Sequence, residues 1–332
     1  MDSFRCPRCA QLVFFENSAC LRCGQALGFA ADRLALVRYE ERSGPRRCAN
    51  QGLAGCNWLA DGPGELCASC RLTRTRPADS DPAALAAFAE TEAAKRRVVY
   101  QLLDLGLPVT GWSDAPGGLG YDLLSSAGRP VTIGHQDGIV TIDLAESDDP
   151  YRERVRQQMG EPYRTMLGHL RHETGHYYWM VLVERGGRSA GFRALFGDER
   201  ADYQDSLTRH YEQGPPDGWA TDHVSAYATM HPWEDWAETF AHYLHIRDTL
   251  QTAAAYGMRV EPTAVPELAA EPVEPSDGEP FQALLDRWLP LSYALNAVNR
   301  GMGRDDLYPF VLTPTVVDKL AWVHRAVRDT AA

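Results

Sequence analysis

The residues with the clearest capacity for chemistry are His172, Glu173 and His176, which form a His-Glu-x-x-His pattern. Four residues span about one turn of an α-helix, so both histidines can offer a ring nitrogen to a single Zn²⁺ at roughly 2.0–2.1 Å. Zinc lowers the pKa of a bound water from about 15.7 toward about 7, and Glu173 would stand beside that water as general base. The pattern therefore predicts hydrolysis by a metal-activated water.

Apolar residues at helical spacing surround this pattern and predict a largely buried helix. The helix is predicted to begin at Glu161-Pro162 and to continue to Val183. Two core histidines with a hydrogen-bonded glutamate are the alternative. Buried ionisable groups are rare without a partner, however, and a metal ion is the simplest partner for this set.

A catalytic zinc usually has three protein ligands and one open position. In the metzincin pattern a further histidine would lie six residues after His176, where this chain has Leu182, so that class is excluded. Glu234 and Glu238 follow Pro232, a residue typical of a first helical turn, and their spacing places them on one helix face. They are the candidates for the third ligand, and a solvated helix face is the alternative.

Together these residues resemble the gluzincin metallopeptidases. The resemblance implies that Glu234 is the third zinc ligand and that Glu238 orients a zinc-bound histidine, although the reverse assignment stays open. In the lethal-factor-like branch a tyrosine seven positions before the ligand glutamate assists the transition state, and Tyr227 occupies that position. His223 and His231 are further candidates for this role, or else ordinary loop and cap residues.

A β-hairpin is predicted before the active helix, with strands at 130–133 and 138–144 and a turn at 136–138. In gluzincins an edge strand at this point in the chain pairs with the substrate. The resemblance therefore implies that residues 139–145 bind an extended peptide. An ordinary strand inside a sheet is equally compatible with the pattern.

All eight cysteines lie before residue 71, and they form two sets of four. The first set has two Cys-x2-Cys pairs, a strong signature of a zinc ribbon, and the second set has a wider first pair. The sets are Cys6, Cys9, Cys20 and Cys23, and Cys48, Cys56, Cys67 and Cys70. Ligand exchange between the sets and redox-active cysteines are the alternatives. We predict three zinc ions per chain, one catalytic and two structural.

The cellular compartment is also predicted from the sequence. Sites made only of thiolates favour a reducing compartment, because their cysteines are not lost to disulfides there. The chain has neither a signal peptide nor a stretch of eighteen apolar residues. A cytoplasmic protein without membrane contact is therefore expected.

Charge is distributed unevenly along the chain. Residues 1–77 contain eleven Arg, no Lys and seven Asp or Glu, a net charge of +4. The rest of the chain has a net charge of −16, which gives −12 for the whole protein. The basic excess predicts a surface for an acidic protein partner, formed by Arg38, Arg42, Arg46, Arg47, Arg71, Arg74 and Arg76. We expect a protein rather than nucleic acid there, because few aromatic residues lie between the arginines.

The chain is predicted to have two domains of an α+β protein. Residues 1–76 form a double zinc-ribbon module, and residues 77–332 form a mainly helical, gluzincin-like catalytic domain with a small hairpin or sheet. A long helix begins at Asp81-Pro82 and ends at Gly106, with Lys95, Arg96 and Arg97 on its exposed side. We expect the catalytic domain to fold without the ribbons, whose main source of stability would be zinc.

Along its whole length the chain is similar to a bacterial family of zinc metallopeptidases with an N-terminal zinc ribbon. The segments that carry this resemblance are CPRCAQLVFFENSACLRCG, RCANQGLAGCNWLA, LCASCRLTRTRP, EPYRTMLGHLRHETGHYYW and HPWEDWAETFAHYLHI. The resemblance implies zinc-dependent cleavage of a peptide or protein substrate, with the ribbons recruiting that substrate or a partner.

Two other functions stay open at this point. One is a zinc-dependent adaptor, against which Glu173 argues because a binding module needs no base beside its metal. The other is a nucleic-acid-associated regulatory protein that keeps a non-catalytic peptidase fold.

Overall fold

The computed structural model describes residues 1–40, 44–148, 151–152, 154, 165–276 and 278–331. The chain forms two compact units, Asp2–Leu170 and Arg171–Ala332 together with Met1. Helices and small sheets occur together, which confirms the predicted α+β class. Within the described ranges, no helix has both the length and the apolar character needed to span a membrane. The boundary predicted between residues 76 and 77 lies inside the first unit and stays a prediction.

The first unit begins with short antiparallel strand pairs. These are β1 (Phe4–Arg5) with β2 (Leu12–Val13), β3 (Leu27–Ala30) with β4 (Ala35–Arg38), and β5 (Arg46–Arg47) with β6 (Leu59–Ala60). Isolated two-stranded ribbons are marginal in water, so these pairs need side-chain packing or metal to persist. Phe29 supplies part of that packing, with its ring 5.0 Å from Phe15 and 4.7 Å from Trp58.

The first unit also contains the helices α1 (Gln51–Ala54) and α2 (Pro82–Asp104). The predicted start of α2 is confirmed, because Asp81 caps it by accepting a hydrogen bond from the Ala84 N–H at 3.0 Å. The ring of Tyr100 on α2 lies 5.3 Å from Phe15. Side chains of α2 and of the zinc-ribbon segment therefore share one aromatic core.

The predicted exposure of Lys95 and Arg96 is wrong, because both side chains are buried. Lys95 donates a hydrogen bond to Glu92 at 2.6 Å and another to Thr73, and Arg96 donates to the Ala54 carbonyl at 3.2 Å. Helix α2 is packed on more than one side, so its polar residues pair inside the unit. Such pairs stabilise only because each charge finds a partner.

A four-stranded sheet follows, in the order β7, β8, β10, β9, formed by β7 (Thr73–Thr75), β8 (Gly120–Leu124), β9 (Gly134–Gln136) and β10 (Ile139–Asp143). A hairpin is confirmed as β9 with β10, but the predicted first strand at 130–133 is wrong, because those residues are irregular and β9 lies at Gly134–Gln136. The predicted edge strand is wrong. Ile139 pairs with Gly120 on one side and with Gln136 on the other, so β10 is internal.

The second unit is helical. The helices are α3 (Met166–Trp179), which begins in the first unit, α4 (Ser189–Phe196), α5 (Tyr203–Gln213), α6 (Pro232–Ala255), α7 (Phe281–Gly301) and α8 (Pro314–Ala331). A π-helical turn, Met180–Glu184, continues α3. The helix start predicted at Glu161-Pro162 lies outside the described residues. Trp236, Phe240 and Leu244 of α6 are fully buried, so α6 forms the core of this unit.

Candidate metal centre and active site

Helices α3 and α6 bring His172, His176 and Glu234 together. Nε2 of His172 lies 3.0 Å and Nε2 of His176 lies 3.5 Å from the same oxygen, Oε2 of Glu234. One ligand atom of each residue lies within 4.8 Å of the other two. Two imidazole nitrogens and a carboxylate oxygen are a donor set that a catalytic zinc takes, so these residues fit a zinc ion.

A glycine allows the two helices to approach closely. A Cβ atom at Gly175 would lie 3.2 Å from the Ala237 Cα and 3.3 Å from the Ala237 carbonyl oxygen. The indole N–H of Trp236 donates a hydrogen bond to the Gly175 carbonyl at 2.8 Å. The backbones of α3 and α6 thus meet between the two histidines, which places Glu234 within reach of both rings.

Glu238 contacts the opposite side of the His172 ring. Nδ1 of His172 lies 2.7 Å from Glu238 Oε1, and the Ser225 hydroxyl donates to Glu238 Oε2 at 2.6 Å. With Nδ1 engaged, Nε2 is the nitrogen that faces Glu234. A carboxylate on the far ring nitrogen of a histidine is the usual arrangement around a protein-bound metal.

The carboxylates of this cluster are held in their ionised form. Burial raises the pKa of Glu238, but the hydrogen bond from His172 outweighs it and lowers that pKa to about 2. Burial also raises the pKa of Glu234, but the charge of His176 and the His172 hydrogen bond hold it well below its usual value. Burial lowers the pKa of His172, whereas its hydrogen bonds to both glutamates raise it well above its usual value. A buried anion, Glu234, and a half-buried anion, Glu238, beside two imidazoles suit a cation, which would displace the His172 proton.

Glu173 and Tyr227 interact electrostatically. Glu173 is buried, and its charge is among the causes that raise the pKa of Tyr227, after burial and the charges of Glu234 and Tyr203. The Tyr227 ring centroid is 5.9 Å from that of His172. A raised pKa keeps the proton on the phenol at neutral pH, so Tyr227 is a hydrogen-bond donor.

Two residues of α5 complete the site, and the sequence analysis missed both. The Tyr203 hydroxyl donates to Glu234 Oε1 at 2.9 Å, and the His210 ring stands edge-on to Tyr227 at 5.9 Å. Neither residue has a spacing that relates it to the His-Glu-x-x-His pattern. Only the packing of α5 reveals their position.

His223 and His231, the further candidates for the role of Tyr227, make other contacts. His231 caps α6, with Nδ1 accepting from the Trp233 N–H and Nε2 donating to the Ala201 carbonyl, both at 3.1 Å. Both of its nitrogens are engaged, which fits the alternative of a cap residue. His223 lies with Nε2 3.8 Å from Asp235, and burial followed by the charge of Lys319 lowers its pKa.

Each set of four cysteines converges on its own site. The Sγ atoms of Cys6, Cys9, Cys20 and Cys23 lie within 4.8 Å of one another, as do those of Cys48, Cys56, Cys67 and Cys70. All eight thiols are free, and the ligand exchange left open by the sequence does not occur. Four sulfurs at such distances fit a tetrahedral zinc site.

The predicted basic surface is largely neutralised by acidic neighbours. Arg38 pairs with Glu40, Arg71 with Asp114, Arg74 with Asp122 and Arg76 with Asp79, while Arg47 stacks on Tyr39. Arg42 lies outside the described residues. Pairing of this kind weakens the attraction of a distant acidic partner or of a phosphate backbone.

Comparison with known proteins adds the family. Residues 84–326 match the family described as "Putative zinc-binding metallo-peptidase", and residues 3–81 match a zinc-ribbon domain. The chain belongs to this metallopeptidase family. The predicted resemblance is thereby confirmed, and the family supports zinc binding and peptidase chemistry.

Relatives in this family come from mycobacteria. Uncharacterized proteins of Mycobacterium bovis and of two Mycobacterium tuberculosis strains are each 51% identical over 335 residues, which is 100% of this chain and 96% of theirs. No solved structure gives a significant match to the chain.

Proposed function

We propose that the chain is a zinc-dependent peptidase of the gluzincin type, with His172, His176 and Glu234 as ligands of a catalytic zinc. The observation that supports this most is that Nε2 of both histidines faces one oxygen of Glu234, with Glu173 on the same helix as the histidines. When bound, the zinc would polarise the scissile carbonyl and lower the pKa of the attacking water.

The remaining steps belong to side chains of this protein. Glu173 takes a proton from the attacking water and passes it to the leaving amine, which is general base and then general acid catalysis. Tyr227 donates a hydrogen bond to the developing oxyanion, for which its raised pKa keeps the proton in place. Glu238 accepts from His172 Nδ1 and so fixes the ring with Nε2 toward the ligand set.

The two rival functions have less support. A zinc-dependent adaptor would need the ligands but neither Glu173 nor the half-buried phenol of Tyr227. A nucleic-acid-associated protein would need free cations, whereas most of the candidate arginines are paired. The ribbons would recruit a substrate or protein partner through a surface other than those arginines. Eight reduced cysteines make the cytoplasm the compartment that we propose.

Counting zinc tests the proposal. The purified chain should contain three zinc ions by elemental analysis and cleave an unfolded polypeptide. Substitution of both His172 and His176 with Ala should leave two zinc ions and no cleavage, because only the third site loses its ligands. Three zinc ions in the double variant would contradict the assignment, and a wild-type chain with no cleavage activity would contradict the peptidase function.

The two glutamates of α6 should respond differently. Glu234→Ala removes a ligand and should empty the catalytic site, whereas Glu238→Ala removes the partner of His172 and should weaken zinc about 10–100-fold. Competition with a chelator measures both affinities. The exposed Glu212 on α5 offers the control Glu212→Ala, which should bind zinc like the wild type. An empty site in Glu238→Ala with zinc retained in Glu234→Ala would reverse the roles.

Tyr227→Phe should lower kcat by roughly 10²–10³-fold, the loss expected for one oxyanion donor, with little change in KM. Steady-state cleavage of a fluorogenic peptide measures both constants. Tyr211 on α5 is 63% exposed, so Tyr211→Phe serves as the matched control and should be neutral. An unchanged kcat in Tyr227→Phe would remove this role from Tyr227.

A further inference from the structure

Tyr203 is a residue of the site for which the proposed mechanism has no step. It is the first residue of α5, which Asp202 caps by accepting from the Asp205 N–H at 2.8 Å. Its hydroxyl donates to Oε1 of Glu234 at 2.9 Å. The other oxygen of the same carboxylate, Oε2, faces the two histidines. The two oxygens of Glu234 are therefore divided between a phenol and the metal ligands.

This division restricts how Glu234 can bind a metal. The terminal torsion of a glutamate has a broad, roughly two-fold profile, so a carboxylate without further contacts can turn and offer either oxygen or both. A hydrogen bond to Oε1 favours the orientation of the carboxylate in which Oε2 faces the two histidines. Glu234 would then bind zinc mainly through Oε2, which leaves the open position to the substrate.

The surroundings of Tyr203 stabilise its hydrogen bond to Oε1 of Glu234. Glu234 is 2% exposed, so water does not compete effectively for Oε1. The Tyr203 ring packs 5.3 Å from His231 and 6.3 Å from Trp233, two residues at the start of α6. Burial and the charge of Glu234 raise the pKa of Tyr203, which therefore remains a donor.

From these contacts we infer that Tyr203 is a positioning residue, which holds Glu234 as a one-oxygen metal ligand. The inference rests on the proposed function, because it takes Glu234 as a ligand of the catalytic zinc. It does not require that peptide cleavage be observed, since its primary consequence is the affinity of the site for metal.

The test is the zinc affinity of full-length Tyr203→Phe, measured by chelator competition. The phenyl ring keeps the packing against His231 and Trp233 and removes only the hydroxyl. Zinc at the nitrogen and oxygen site should bind about 10–100-fold more weakly, the loss typical for a partner of a metal ligand, while the two thiolate sites remain filled. Tyr211→Phe is the matched control and should retain wild-type affinity.

Cadmium NMR gives a signature that packing alone would not change. After replacement of zinc by ¹¹³Cd, the resonance of the nitrogen and oxygen site is well separated from those of the thiolate sites. It should move in Tyr203→Phe and stay in place in Tyr211→Phe. Wild-type zinc affinity and an unmoved resonance in Tyr203→Phe would overturn the inference alone. A wild-type chain that binds only two metal ions would overturn the proposed function and the inference with it.

A second variant distinguishes loss of the hydrogen bond from a folding defect. If Tyr203→Phe also empties the thiolate sites, Tyr203→4-aminophenylalanine keeps the ring and restores an N–H donor at the position of the hydroxyl. Recovery of the thiolate sites together with catalytic-site affinity closer to wild type would support the hydrogen-bond role. Equal loss of catalytic-site affinity in both variants would overturn it.

Discussion

Glu173→Gln is expected to keep all three zinc ions and to lose peptide cleavage by roughly 10²–10⁴-fold, the contribution of one positioned general base. Glutamine has nearly the same shape as glutamate, so the buried position beside His172 stays filled. It cannot accept the proton of the attacking water, however. Elemental analysis and the cleavage rate of an unfolded polypeptide measure the two effects separately.

Glu184→Gln is the matched control for this substitution. Glu184 is exposed at the end of the π-helical turn that continues α3, so its replacement should leave both zinc content and rate unchanged. Loss of zinc in Glu173→Gln would show that Glu173 is a ligand, and an unchanged rate would show that it is no base. The same variant, compared with wild type by proteomics of whole cells, identifies substrates that accumulate uncleaved.

The sequence alone favours independent folding of residues 77–332, but the packing of α2 leads to the opposite expectation. Removal of residues 1–76 is expected to leave an insoluble remainder, because α2 would lose the partners of its buried face. Tyr100 packs 5.3 Å from Phe15 and 5.8 Å from Phe29, and both partners would be missing. Lys95 would keep Glu92 but lose Thr73, and β8 would lose its neighbour β7. Newly exposed aromatic side chains of this kind favour aggregation.

Size-exclusion chromatography, circular dichroism and zinc content of the truncated chain test this expectation against the full-length protein. A soluble, monomeric remainder with one zinc ion would instead support the predicted boundary between residues 76 and 77 and independent folding of the catalytic domain. In that case cleavage of a generic peptide at the wild-type rate would show that the ribbons act on substrate choice alone.

Local spacing explains which parts of the site could be predicted from the sequence. His172 and His176, like Glu234 and Glu238, are separated by one helical turn, and the first cysteine set consists of two short pairs. Such spacings place ligand atoms together as soon as the local element forms. Tyr203 could not be predicted in this way, because its contact with Glu234 depends on how α5 packs against the start of α6.

The wrong predictions share a different cause, which is pairing between residues far apart in sequence. Lys95 was expected to face solvent because charged residues usually do, but Thr73 lies beside it in the folded unit. Strand β10 was expected at an edge because the gluzincin resemblance implies an edge strand there. Its residue pattern identifies a strand but not its neighbours. The net charge of residues 1–77 also omits distant acidic partners such as Asp122 beside Arg74.

The absence of a side chain at Gly175 bears on how closely the two metal-binding helices can approach in proteins with a His-Glu-x-x-His pattern. Because the two helix backbones meet there, with only 3.2 Å available between a Cβ atom and the Ala237 Cα, a larger residue would force α3 and α6 apart by a few tenths of an ångström or more. Glutamate side chains on α6 would then have to reach further toward both imidazoles. Among proteins with a His-Glu-x-x-His pattern, glycine before the second histidine is therefore compatible with this close interhelical spacing. A bulkier residue there implies that the two helices lie slightly further apart.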